Sequence, residues 1–155
     1  KLLGQVQADK DGNWTFDVPT LSEGKHDFIA TTVDAAGNEG SSSDAFTLNV
    51  DTTAPSSTDA AITSVVDAAE PIVGEITNGG ITNDPRPVIS GTASDDITLV
   101  RIYDGTTLLG EVTVTDGKWS FAPDSDLANG SHSFRVKAVD AAGNEGAYST
   151  TWRWF

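Results

Sequence analysis

The chain has 155 residues, of which 37% are hydrophobic, and 9 basic residues stand against 23 acidic ones, for a formal net charge of −14. That balance repels nucleic acid and anionic lipid and attracts cations, so neither nucleic acid nor a membrane surface is expected as a partner. With no cysteine, disulfides, zinc thiolate sites and thiol catalysis are excluded, and no apolar run reaches the roughly 18 residues of a membrane span.

In chain order, the first feature is a repeat. Val33-Asp34-Ala35-Ala36-Gly37-Asn38-Glu39-Gly40 returns word for word as Val139-Asp140-Ala141-Ala142-Gly143-Asn144-Glu145-Gly146. Around it, Leu2-Leu3-Gly4 matches Leu108-Leu109-Gly110. Gly12-Asn13-Trp14-Thr15-Phe16 matches Gly117-Lys118-Trp119-Ser120-Phe121, and His26 matches His132. The chain therefore reads as one module used twice. Residues 1–50 are the back half of a first copy, 51–55 a stiff junction, and 56–155 a nearly complete second copy. Because it starts at Lys1 with no methionine, it reads as a piece of something longer.

Period-two alternation rich in Thr, Val, Ile and aromatics, broken by Gly, Asn and Asp, predicts an all-β fold. In the first copy strands are expected at Leu2–Ala8, Asn13–Val18, His26–Val33 and Ala45–Val50. The second copy is expected to hold A (Ala61–Val66), B (Pro87–Ala93), C (Leu99–Tyr103), D (Leu108–Thr115), E (Lys118–Ala122), F (His132–Val139) and G (Tyr148–Phe155). A surface excursion, 67–86, joins A to B with a short strand near Ile72–Ile76. Asp104-Gly105 and Asp116-Gly117 read as hairpin turns. Seven strands so spaced suit an immunoglobulin-like antiparallel β-sandwich. Four strands alone would leave half a core and an open edge, so the first copy is expected to be completed by other residues or another chain.

Alternation of strand direction sorts the loops by end. Asp51 from the junction, Asp95 and Asp96 from the B–C loop, Asp116, and Asp140 with Asn144 from the F–G loop fall at one end. Asp67, Glu70 and Asp84 fall on the excursion at the other. Calcium takes six to eight oxygen ligands, and carboxylates from separate segments meeting at one end would supply them. Local capping of turns by Asp and Asn explains the same residues without a metal, and both readings stand. Asp9-Lys10-Asp11-Gly12 lacks the acid ligands of a calcium loop and reads as a turn. No Gly-x-Ser-x-Gly, phosphate-binding glycine loop or His-Glu-x-x-His occurs, so the chain reads as no enzyme. His26 and His132 are one repeated structural position. Trp14 and Trp119 are another, expected to be buried under the D–E hairpin, and Trp152 and Trp154 are expected to fill the core.

Asp51-Thr52-Thr53-Ala54-Pro55, Thr77-Asn78-Gly79-Gly80, Thr82-Asn83-Asp84-Pro85-Arg86-Pro87, Ile89-Ser90-Gly91-Thr92-Ala93 and Val139-Asp140-Ala141-Ala142-Gly143-Asn144 together resemble the bacterial immunoglobulin-like repeats of giant adhesins of the biofilm-associated-protein type. The resemblance implies rods of tandem modules exported by type I secretion to the cell surface. It also implies Ca2+ near the junctions, and contact with a host or abiotic surface made by other regions. Carried onto this chain, it points to Asp51, Asp140 and Asn144, to Asp34 and Asn38 in the first copy, and to Asp67 and Asp84 on the excursion. The expected function is an extracellular spacer supporting adhesion and biofilm formation. The alternative is a carbohydrate- or protein-binding module making the contact itself. Asp67-Ala68-Ala69-Glu70 departs from the paired acids such modules carry after strand A.

Overall fold

The computed structural model describes all 155 residues. They form two compact units, Lys1–Thr52 and Thr53–Phe155, dividing inside the stretch read as the junction. No helix occurs.

Unit 2 is a sandwich of two four-stranded antiparallel sheets. One runs in the order Lys118–Phe121, Val88–Ala93, Ala60–Asp67, Gly74–Glu75, the other Trp152–Trp154, His132–Asp140, Ile97–Asp104, Thr107–Thr113. The strands are β5 (Ala60–Asp67), β6 (Gly74–Glu75), β7 (Val88–Ala93), β8 (Ile97–Asp104), β9 (Thr107–Thr113), β10 (Lys118–Phe121), β11 (His132–Asp140) and β12 (Trp152–Trp154). These are the expected A to G with the short excursion strand, and the fold is the expected sandwich. Alternation sends Val65 and Ile89 from one sheet, and Val100, Ile102, Phe134 and Val136 from the other, into a shared core. Each such side chain contributes about 1.5–3 kcal/mol on full burial.

Trp154 closes the core, its ring lying parallel to Phe134 with centroids 3.9 Å apart. Trp119 lies over Gly91, where any added Cβ would run into its ring and the backbone of Ala61. Its indole N–H donates to Thr92 O at 3.1 Å. The Asp116-Gly117 turn has positive φ at both residues (51° and 70°), the twist that lets a two-residue loop join antiparallel strands.

Strand G is shorter than expected. Only Trp152–Trp154 forms a ladder with β11. Ahead of it Ser149 stands in for a strand partner, its Oγ accepting the Val136 N–H at 3.0 Å while its own N–H donates to Val136 O at 2.8 Å.

Unit 1 holds β1 (Gly24–Phe28), β2 (Thr31–Val33), β3 (Glu39–Ser42) and β4 (Phe46–Val50), paired as β1–β4 and β2–β3. The strands expected at Leu2–Ala8 and Asn13–Val18 do not form, and the single strand expected over His26–Val33 is two. In unit 2 the counterpart of Leu2–Ala8 pairs with β8, and that of Asn13–Val18 with β7. Unit 1 has no such strands to complete the ladders. Trp14, expected buried, is 57% exposed where Trp119 is 4%, because nothing in unit 1 takes the place of β7 beneath it.

Candidate functional site

The acids singled out by the sequence sit in turns, and one turn recurs three times. In Asp9–Asn13, Asp34–Asn38 and Asp140–Asn144 the first residue is Asp, the fourth Gly and the fifth Asn. The Gly N–H donates to the Asp carbonyl (3.0, 3.0 and 3.2 Å), and the Asp N–H to the Asn carbonyl (2.9, 3.0 and 3.2 Å). Gly12, Gly37 and Gly143 have φ of 82°, 89° and 91°, a left-handed conformation that glycine adopts without steric cost. The Asn N–H reaches the Asp Oδ1 at 2.9, 2.9 and 2.8 Å.

In the two octapeptide copies the Asn side chain closes the ring. Asn38 Nδ2 donates to Asp34 Oδ2 and Asn144 Nδ2 to Asp140 Oδ2, both at 2.9 Å. The asparagine amide, and after it the backbone N–H groups of the turn, hold Asp34 and Asp140 below the ordinary carboxylate range. Asp140 is buried and Asp34 exposed.

Asp67 and Asp84 are also brought together. Asp67 Oδ1 accepts the Ala69 N–H at 2.7 Å, and its Oδ2 accepts the Thr82 hydroxyl at 2.6 Å. Asp84 Oδ2 accepts the Ala68 N–H and its Oδ1 the Arg86 N–H, both at 2.8 Å. Together they clasp the base of the A–B excursion. Asp95 and Asp96 are exposed on the B–C loop, and Asp51, half-buried, follows β4 in unit 1. Within neither unit do three Asp, Glu or His side chains gather about one point.

Three groups escaped the sequence reading. Asp59 takes the Ser56 N–H on Oδ2 at 2.6 Å and the Ser94 hydroxyl on Oδ1 at 3.1 Å, tying the incoming chain to the B–C loop. The Ser-x-x-Asp spacing of Ser56 to Asp59 is the signal that could have found it. Glu145, the seventh residue of the octapeptide, accepts Lys137 at 2.7 Å and pairs with Arg101. Its charge is held on by Lys137 first and Arg101 second, against partial burial. Arg135 lies 3.9 Å from the centre of the Tyr148 ring, which meets Tyr103 edge-on. The sequence carries no signal for this cluster, because its members come from three separate segments.

His132 has acceptors at both ring nitrogens, Asp104 Oδ2 and Ala128 O, each at 2.7 Å. Burial works against charging the ring, but the Asp104 hydrogen bond, the Ala128 carbonyl and the Asp104 charge outweigh it and raise its pKa. Two cavities are small. One of about 90 Å3 lies beside His132 and Trp154, and one of about 160 Å3 under the excursion, where small-molecule sites run to about 300–1,000 Å3.

The sequence model of the bacterial Ig-like domain matches residues 1–52 and again 59–152. The chain belongs to the bacterial Ig-like domain family. Among curated proteins no match was found. Such domains are common in bacterial surface proteins, and no helix is long and apolar enough to cross a membrane.

Proposed function

We propose that this tandem is an extracellular spacer from a large bacterial surface adhesin of the biofilm-associated-protein type, stiffened by Ca2+ where modules follow one another. The observation that carries the spacer reading is the repetition itself: the back half of one module is followed by a second copy, and the acids they share serve turns rather than a pocket. Asp34 and Asp140 are kept ionised by their asparagines, so each module offers a fixed negative charge at its F–G turn.

The residues of a single unit do not fit a calcium seat. Asp140 is spanned by Asn144, Asp67 and Asp84 are engaged by Thr82 and by backbone amides, and three acids nowhere gather, against the six to eight oxygens the ion takes. Calcium therefore enters as a separable part of the proposal. Thermal melting and small-angle scattering of the full chain, in calcium and in chelator, test it. A higher Tm and a more extended particle in calcium are expected. Identical melting and scattering in both would remove the ion and leave the spacer.

The adhesive-contact alternative needs an exposed aromatic row. Trp119 and Trp154 are buried, and the Tyr148 ring is already stacked by Arg135 and met by Tyr103. The exposed Trp14 and Phe46 are the counterparts of Trp119 and Trp152, which pack on the unit 2 core.

A further inference from the structure

Two Asn-Gly bonds occur in the chain, Asn78-Gly79 and Asn129-Gly130, both in unit 2 and both exposed. An asparagine before glycine is open to attack on its side-chain amide by the next backbone nitrogen, because glycine has no Cβ to obstruct the approach. Residue type and exposure treat the two bonds alike, and their hydrogen bonds do not. Asn78-Gly79 is tied to β12 at both reacting groups. Asn78 Oδ1 accepts the Arg153 N–H at 2.9 Å, and the Gly79 N–H donates to Arg153 O at 2.6 Å. For the Gly79 nitrogen to reach Asn78 Cγ, both bonds must open and the excursion must come away from β12.

Asn129-Gly130 has no such fastening. Neither the Asn129 side chain nor the Gly130 N–H makes a hydrogen bond within the chain, and a Cβ at Gly130 would meet nothing within 4 Å. The residues before the pair are held, with the Leu127 N–H on Pro85 O at 2.9 Å and Ala128 O on the His132 ring at 2.7 Å. Ring closure at Asn129 therefore breaks no bond of the fold. Unit 1 shows that a carboxylate suits this place. As His132 corresponds to His26, Asn129-Gly130 corresponds to Glu23-Gly24. Glu23 Oε2 accepts the Thr52 N–H at 3.0 Å and the Thr52 hydroxyl at 2.6 Å, so the acid there holds the chain leaving β4.

We infer that Asn129 is a self-modifying site, converted by spontaneous deamidation to a carboxylate, and that β12 protects Asn78 from the same reaction. The Gly130 nitrogen gives up its proton to solvent and bonds to Asn129 Cγ. The bond from Cγ to the side-chain nitrogen breaks, and ammonia leaves a cyclic imide. Water then opens the imide at one carbonyl or the other, giving aspartate or isoaspartate. Only water is consumed, and no oxidant or cofactor is needed. The product gives unit 2 the negative charge that Glu23 already gives unit 1. The site depends on neither the spacer reading nor calcium.

The test incubates the full chain in mildly alkaline buffer at physiological temperature, once native and once in concentrated urea. Peptides holding each asparagine are followed by mass spectrometry, with fragmentation that separates isoaspartate from aspartate. In the native chain Asn129 is expected to convert about tenfold faster than Asn78 or more, the ratio set by two hydrogen bonds that must open first. In urea that protection is gone, and the two rates are expected to converge. Asn129→Gln is expected to lose the Asn129 product and leave Asn78 unconverted, and Asn129→Asp to melt as the parent does. A native chain in which Asn78 converts as fast as Asn129 would overturn the inference. So would an Asn129 that stays intact in the native chain while it converts in urea. A lower Tm for Asn129→Asp would remove the equivalence with Glu23.

Discussion

The two copies of the module carry nearly the same words and reach different states. Val33 is 58% exposed and Val139 buried, and Trp14 and Trp119 differ in the same sense. Asp34 and Asp140 nevertheless make the same hydrogen bonds to their asparagines, and His26 and His132 each bond the carbonyl four residues earlier at 2.7 Å. Even the D–E hairpin keeps its internal contact. A Cβ at Gly4 would meet the Phe16 ring at 2.5 Å, and one at Gly110 the Phe121 ring at 2.7 Å. The difference teaches that turns and hairpin contacts follow from a few neighbouring residues. Burial and continuous strands follow from sheet partners, which unit 2 has in β5, β7 and β8 and unit 1 lacks.

The largest expected effect tests this contrast directly. Phe134→Ala removes a fully buried ring stacked on Trp154 and is expected to destabilise unit 2 by about 3–5 kcal/mol in denaturant unfolding. Phe28→Ala, at the half-buried counterpart, is expected to cost about 1 kcal/mol or less. Equal losses would mean that unit 1 has a core of its own and that the contrast is wrong.

A smaller effect separates the two histidines. The pKa of His132 is raised on folding, so its contribution is fully present below the unfolded value of about 6.5 and is lost as pH rises through the folded value. The Tm of unit 2 is expected to fall across that window, and His132→Gln to flatten the fall. An unchanged profile in the variant would assign the pH dependence elsewhere. His26, with Ser22 O as its hydrogen-bond partner, has no counterpart of Asp104 in unit 1.

The smallest effect comes from giving unit 2 a residue of the first copy. Tyr148 corresponds to Ser42, and Tyr148→Ser removes the ring under Arg135 and Lys137. A loss of about 0.5–1 kcal/mol in urea unfolding is expected. No loss would show that the cation stacking contributes nothing measurable to the stability of unit 2.

The repeat, the all-β class, the positions of the unit 2 strands and the turn chemistry of Asp116-Gly117 were legible in the sequence. Each depends on residues close together in the chain: an alternation, a positive φ, a side chain reaching an amide a few positions away. The pairing of Asp67 with Asp84 through Thr82, the place of Asp59 against Ser94, and the hub at Glu145 were not legible. They join segments far apart in sequence, and many chain paths would satisfy the same local rules.

Taken alone, the sequence determined that the module occurs twice and how its turns are made, because glycine and asparagine impose those conformations wherever they stand. Tertiary structure decided which side chains are buried. An aromatic side chain leaves water only where a second sheet meets it, and Trp119 has that cover while Trp14 does not. It also decided where the acids lie. Asp140 is satisfied by the amides of its own turn and Asp67 by Thr82 and a backbone amide, and within neither unit do three acids gather.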